Sequence, residues 1–148
     1  YKGKTIVEPS ALGFQFQNAP DLKENMILEK VDTLTFDETW EQVWGEQRLI
    51  RNHYRQLTAT LREKGDNGRV MQIIFRVFDN GIGFRYLLPA QAGMTKLEIM
   101  DEFTEFRLTA NHQAWYLPCV PHRDYKRYYD TYEDPYKTGS LSDMDTVY

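Results

Sequence analysis

An all-β fold, specifically an antiparallel β-sandwich, is predicted by three features of this sequence. Val70 to Phe78 is rich in β-branched and aromatic residues and is apolar on both faces, as expected of a strand between two layers. Asp79-Asn80-Gly81 follows at once and is a strong hairpin signal, because Asn and Gly suit the positive-φ positions of such turns. Other short extended runs are separated by turn residues, without an internal repeat or a βαβ pattern.

The segments before this hairpin are predicted to be largely extended. Thr5 to Val7 and Ala11 to Phe16 are two short segments broken at Pro9, which has no N–H to donate to a ladder. Within the second, large apolar residues alternate with Gly and Gln, which predicts one buried face. Asn18 to Asp21 is predicted to be a loop by its turn chemistry. Met26 to Phe36 alternates more loosely and is again predicted to be extended.

After the hairpin turn, Ile82 to Leu88 is predicted to be the return strand, which Pro89 ends. Three more short strands are predicted further along the chain: Lys96 to Met100, Glu105 to Thr109, and Trp115 to Leu117. From Cys119 onward almost no aliphatic residue occurs, so we expect a surface excursion of tyrosines and charges.

Residues 40 to 61 fit two secondary structures. Their apolar residues recur passably at helical spacing, and Asp37 could cap a helix there. Gly45 would lie inside that helix, however, and Leu57, Ala59 and Leu61 alternate with threonines as in a strand. Periodicity alone slightly favours the helix.

Composition excludes several classes of protein. The 148 residues are enough for one domain with a core, and 41% hydrophobic and 14% aromatic residues are typical of a globular chain. The net charge of −4 argues against binding to nucleic acid, which usually requires a basic face. No apolar run could cross a bilayer, no signal peptide is visible, and the single Cys119 allows no intrachain disulfide. Because the chain begins without Met and stops in a polar stretch, we expect both ends to be cuts in a longer protein.

Residues that could bind a metal or take part in catalysis are present but scattered along the sequence. His53, His112 and His122 have no metal-binding spacing, and Gly81-x-Gly83 lies in a hairpin rather than in a phosphate-binding loop. Trp40 and Trp44 are predicted to be largely buried, since burial is the commoner outcome for large aromatics. The alternative is a platform for a flat polar ligand such as a sugar.

Four blocks resemble the N-terminal domain of glycoside hydrolase family 97. Trp40 to Tyr54 matches the pattern Trp-x-x-Val-Trp-Gly-Glu-x-x-x-Ile-Arg-Asn-His-Tyr. Tyr1 to Gly13, Phe75 to Tyr86 and His112 to Pro118 are similar to further landmarks of that domain, in the same order. The resemblance implies a galactose-mutarotase-like β-supersandwich of which residues 1–148 are a fragment, and it implies strands through residues 47–61. We follow it there.

The resemblance also carries expectations about function. Family members are α-glucosidases or α-galactosidases whose catalytic carboxylates belong to a (β/α)8 barrel after this domain. No residue here is therefore expected to be catalytic, and the partners expected are an oligosaccharide and the barrel of the same polypeptide. An export to the periplasm or outside the cell is expected as well.

A calcium ligand is the one functional residue that the resemblance transfers to this chain. In the family, the N-terminal domain lends one glutamate from an Asp-Thr-x-Glu stretch to a calcium ion in the active site. Asp130-Thr131-Tyr132-Glu133 has that form, which makes Glu133 the matching position. Two other functions stay open: a carbohydrate-binding module that acts alone, and a purely structural scaffold.

Overall fold

The computed structural model describes residues 2–116 and 135–144. In those residues the regular secondary structure is β, apart from a short 3₁₀ helix at Leu141–Asp143. The strands are β1 (Phe14–Phe16), β2 (Met26–Glu41), β3 (Leu49–Glu63), β4 (Val70–Phe78), β5 (Gly81–Leu87), β6 (Ile99–Glu102), β7 (Gln113–Tyr116) and β8 (Lys137–Ser140). The chain divides into two compact units, Leu12–Phe103 with β1 to β6, and Tyr1–Ala11 with Thr104–Tyr148.

The larger unit is built on one antiparallel sheet in the order β2-β3-β4-β5. Its register pairs Thr58 with Ile74, and Ile74 with Arg85 on the next strand. β4 is central and has the predicted bounds, whereas β5 begins one residue before the predicted Ile82. Both faces of β4 carry buried residues, Met71 and Ile73 on one face and Ile74 on the other, which accounts for its two-faced apolar composition.

The core lies where β1 packs across one face of this sheet. Phe14 and Phe16 of β1 pack with Met71 and Ile73 of β4 and with the fully buried Leu22. Phe14 also meets Tyr86 edge-on, with ring centroids 4.6 Å apart. The predicted alternation in β1 is therefore confirmed, since its two phenylalanines are buried and the intervening Gln15 is exposed.

Within residues 47–61, β3 runs from Leu49 onward. The helix that periodicity favoured is therefore wrong, and the strands implied by the resemblance are confirmed. β2 and β3 pair over their whole length, from Met26 with Glu63 to Glu41 with Leu49. β4 accompanies β3 only from Arg55 to Arg62. Phe36 to Tyr54 therefore extends past β4 as a two-stranded ribbon, which we call the arm.

One predicted strand is displaced and another is wrong. In both segments, side chains form hydrogen bonds with backbone groups that a strand would pair. For the predicted strand Lys96 to Met100, the structure has β6 three residues later. The Asn18 amide donates to Lys96 O and accepts from Glu98 N, at 2.9 and 3.0 Å, so a side chain satisfies two backbone groups that a ladder would otherwise pair. Glu105 to Thr109 is not a strand. It is joined to the N-terminal segment by an isolated bridge between Val7 and Leu108 and by a hydrogen bond from Glu105 N to Ala11 O at 2.9 Å.

The smaller unit contains the antiparallel pair β7–β8, with Trp115 opposite Thr138. β7 confirms the strand predicted at Trp115, although it begins earlier, and Leu117 lies outside the described residues. The 3₁₀ helix follows β8 directly, and the Asp143 carboxylate accepts hydrogen bonds from the Ser140 backbone and hydroxyl.

Candidate functional site

Most of the titratable residues singled out in the sequence are not brought together. Glu133, the expected calcium ligand, lies outside the described residues, as do Cys119 and His122. Within residues 2–116 and 135–144, no group of three or more His, Cys, Asp or Glu side chains could hold a metal ion. His112 instead contacts the Thr109 hydroxyl at 3.3 Å.

The arm carries the two tryptophans, and neither is buried. Trp44 is 87% exposed in the loop, and Trp40 is 46% exposed near the end of β2. The prediction of buried tryptophans is therefore wrong. The reason is geometric, because the arm lies beyond the last β3–β4 pair and so has no third strand to cover it within the described chain.

The loop at the end of the arm is held by its own backbone and side chains. Gln42 N donates to Arg48 O at 3.0 Å, and the Gln42 amide donates to Gln47 O. Gly45 has a φ of +126°, and a Cβ there would overlap the Gln42 amide. A side chain at position 45 would therefore strain the backbone and displace the Gln42 amide from its contact. Trp44 and the neighbouring Val43 are thus displayed by a defined loop.

Ion pairs brace the two strands of the arm. The Arg51 guanidinium donates to both Asp37 oxygens, at 2.8 and 2.6 Å, and Arg48 pairs with Glu41 at 2.7 Å. Hydrogen bonding from Arg51 lowers the pKa of the Asp37 carboxyl, and the same bonds raise the pKa of Arg51. Both groups stay charged at neutral pH, so the brace persists there. This bidentate geometry favours one register of the ribbon.

The base of the arm is closed by stacked aromatic rings. Phe36 stacks on Tyr54 with ring centroids 5.1 Å apart, and Tyr54 meets Phe78 of β4 at 5.4 Å. The Arg76 guanidinium lies over the Tyr54 ring, with its carbon 4.4 Å from the centroid. Tyr54 is thereby buried, and the arm is anchored to the sheet at this point.

Two arginines near this base form a shallow trough that the sequence analysis missed. Arg76 and Arg85 line it together with Ile74, Phe78, Gly83 and Phe84. The available signal was Gly81-x-Gly83 in β5 facing Arg76 across the hairpin.

Comparison with known proteins identifies the family. A family model described as Glycosyl-hydrolase 97 N-terminal matches residues 1–147. The chain belongs to that family. A curated relative from Streptomyces bingchenggensis (strain BCW-1), described as "Probable retaining alpha-galactosidase", is 30% identical over 113 residues, which is 76% of this chain and 17% of the relative.

Solved structures agree with this assignment. A Glycoside Hydrolase Family 97 enzyme from Pseudoalteromonas sp. strain K8, solved in complex with panose and also with acarbose, matches 97% of this chain and 21% of its own, at 33% identity and a TM-score of 0.82. A crystal structure of a beta-arabinopyranosidase matches 93% of this chain and 22% of its own, at 29% identity and a TM-score of 0.73. The chain thus spans about a fifth of the length of these relatives.

These matches confirm the predicted fold class and family. The four blocks quoted from the sequence lie within the matched residues, and the described strands are antiparallel. In the described residues, no helix is long and apolar enough to cross a membrane.

Proposed function

We propose that this chain is the N-terminal accessory domain of an exported, calcium-dependent glycoside hydrolase that acts on α-glucosidic or α-galactosidic bonds. Its work in that enzyme is to brace the catalytic barrel, to wall part of the substrate pocket and to lend one calcium ligand. The observation that carries the bracing role is the apolar end of the arm. There Trp40, Val43, Trp44 and Leu49 are exposed on a ribbon held by ion pairs and a defined loop.

An exposed cluster of this kind favours a covering surface. Exposed apolar area costs about 25 cal/mol per Å², and aromatic residues such as Trp are enriched where protein surfaces meet. A flexible loop could withdraw Trp44, but the Gln42 contacts and the φ of Gly45 keep it extended. Because the relatives are about five times as long, we propose the barrel of the same polypeptide as the covering surface.

Trp44→Ala in the full-length protein tests the brace. We expect the free energy of unfolding of the barrel to fall by about 2 kcal/mol or more, the usual cost of truncating a central interface residue. Thr39→Ala, at an exposed polar residue of the same ribbon, is the matched control and should change little. In the chain by itself, Trp44→Ala should be nearly neutral. If the barrel is equally stable in the Trp44→Ala and parent enzymes, the proposed bracing role is refuted.

The calcium role rests on Glu133 and on its chemistry. A carboxylate oxygen suits calcium, which takes six to eight oxygen ligands, so Glu133 would supply one and the barrel would have to supply others. When bound, calcium contributes a fixed positive charge near the substrate. The residues of this chain contribute the position of that single carboxylate.

Glu133→Gln in the full-length enzyme tests this assignment, because it keeps the shape and removes the charge. Hydrolysis should require a higher calcium concentration to reach half of its maximum. If the calcium requirement stays the same, Glu133 is not the ligand, and Asp124 and Asp130 become the next positions to change. Because Trp44→Ala is read out on stability, the brace and the calcium role are tested independently.

A second function is favoured by the exposure of the tryptophans. Trp40 is 46% exposed and Trp44 is 87% exposed, so solvent and a sugar can reach their aromatic rings. If the arm is a sugar platform, an oligosaccharide should shift the tryptophan fluorescence of the chain by itself, and Trp44→Ala should abolish the shift. If the fluorescence does not respond to saturating oligosaccharide, the arm is not a sugar platform, and the bracing role remains.

A further inference from the structure

The trough on β4 and β5 has the features of a small anion site. It is open and has a volume of about 250 Å³. Arg76 pairs with Gly83 across the two strands, and Ile74 pairs with Arg85. The two arginines are therefore diagonal neighbours on one face, a relation in which Cα atoms lie roughly 7–8 Å apart.

Glycine keeps the floor of this trough low. Gly81 and Gly83 lie on the same face as the arginines, and a Cβ built at Gly83 would meet nothing within 4 Å. Glycine inside a strand often marks a place where a ligand approaches the backbone closely. Ile74 and Phe78 line the trough beside it, so a ring could rest on apolar surface while a charged group meets the arginines.

The Arg76 guanidinium is already oriented. Its Nε donates to the Gln56 amide oxygen at 3.0 Å, and its Cζ lies 4.4 Å from the Tyr54 ring centroid. Among the described residues, its two η nitrogens donate no hydrogen bond. Arg85 likewise has no hydrogen-bonding or ion-pair partner in that part of the chain. Since guanidinium groups suit the planar geometry of a carboxylate, the Arg85 fork can receive one, while Arg76, held on the β3 side, adds positive charge beside it.

We propose that this trough binds the carboxylate of a sugar acid. The fork of Arg85 and the positive charge of Arg76 select a carboxylate rather than a neutral sugar, and the apolar lining with its glycine floor accepts a ring beside it. The volume is below the range usual for larger ligands and is suited to a single residue. A sugar acid combines a carboxylate with a ring, and a sugar is the class of ligand that membership of a glycoside hydrolase family favours. The assignment does not depend on the arm or on Glu133.

The test uses the full chain and glucuronate as the probe, with glucose as the neutral control of the same ring. Titration followed by NMR should give saturable shifts around Arg85 and Gly83 with glucuronate and none with glucose. Arg85→Gln should weaken glucuronate binding about two- to fivefold, as expected for an exposed ion pair. Arg55→Gln removes a comparably exposed arginine from the other face of the sheet and should leave binding unchanged.

Three results would overturn the proposal. These are equal shifts with glucose, equal weakening by Arg55→Gln and Arg85→Gln, and shifts that grow linearly without saturation. Because Arg85 is exposed, its variant is expected to fold, and Arg85→Lys provides a second check. The lysine keeps the charge but loses the planar fork, so its binding should fall between those of the parent and Arg85→Gln.

Discussion

Replacing Arg69 with Met should destabilise the larger unit more than any other single ion-pair deletion in the described residues. Arg69 donates to both oxygens of Glu63 at 2.7 Å and to the carbonyl oxygens of Pro20 and Asp21 at 2.6 and 2.8 Å. It thereby ties the loop before β2 to the end of β3. Its side chain is only 14% exposed, and that of Glu63 is 25% exposed.

The magnitude follows from this partial burial. Deleting one partner of a fully buried pair costs about 3–5 kcal/mol, whereas a fully exposed pair contributes about 0–1 kcal/mol. Arg69 and Glu63 lie nearer the buried limit, and the freed carbonyls of Pro20 and Asp21 can be rehydrated. We therefore expect a loss of about 2–3 kcal/mol, or roughly 4–12 °C in Tm for a chain of this size.

Chemical denaturation of the chain is the assay, with Arg48→Met as the matched control. The Arg48–Glu41 pair has the same chemistry, but its side chains are 79% and 56% exposed, so its loss should cost less than about 1 kcal/mol. Adding Glu63→Gln to Arg69→Met should recover part of the loss, because no charge is then left without a partner. If Arg69→Met and Arg48→Met have equal midpoints, the reasoning from burial is refuted.

The same pair predicts a dependence of stability on pH. Hydrogen bonds from Arg69 lower the pKa of Glu63 below its ordinary value of 4.5. A carboxyl whose pKa is lower in the folded state stabilises that state above the unfolded pKa, and the contribution is lost as the pH falls through the folded value. The difference in stability between parent and Arg69→Met should therefore narrow below about pH 4.5, and a constant difference down to pH 2 would contradict this.

Three further outcomes are expected from denaturation of the chain. Met71→Ala should cost about 2–5 kcal/mol, because Met71 is fully buried in the core, and a loss below 1 kcal/mol would show that the site is solvated. Gln91→Ala should cost about 1–3 kcal/mol, because its amide both donates to and accepts from the Val70 backbone, and Gln91→Glu should recover only the accepting bond. Trp44→Ala should stay within about 0.5 kcal/mol of the parent, and a loss of 3 kcal/mol would mean that the ring is covered after all.

Local signals in the sequence sufficed for the central hairpin. Val70 to Phe78 was predicted with the bounds that β4 has, because β-branched and aromatic residues in a run and a turn at Asp79-Asn80-Gly81 act over neighbouring residues. Local signals did not suffice at residues 40 to 61, where helical spacing and strand-like alternation coexist. Only the matched family pattern favoured strands there, and the pairing of β2 with β3 confirms them.

The candidate sites depended on distant pairs and were predicted less well. The Arg76–Arg85 trough exists because the hairpin register sets these residues diagonally on one face, beside a glycine that leaves the floor open. No spacing rule in the sequence identifies such a pair without the register. The prediction that Trp40 and Trp44 are buried was wrong for a related reason. Burial depends on which strand lies alongside, and the pairing of β4 with β3 ends before the arm begins.

By itself, the sequence determined the all-β class, the β4–β5 hairpin, the buried face of β1 and, through four ordered blocks, the family. Each of these rests on patterns of residue type along the chain, which are available before any folding. Tertiary structure alone decided that Trp40 and Trp44 are exposed, that Asn18 and Gln91 replace strand neighbours, and that Arg76 and Arg85 share a trough. Those features are set by contacts between residues far apart in the chain, and their free energies depend on burial and register, which no local pattern encodes.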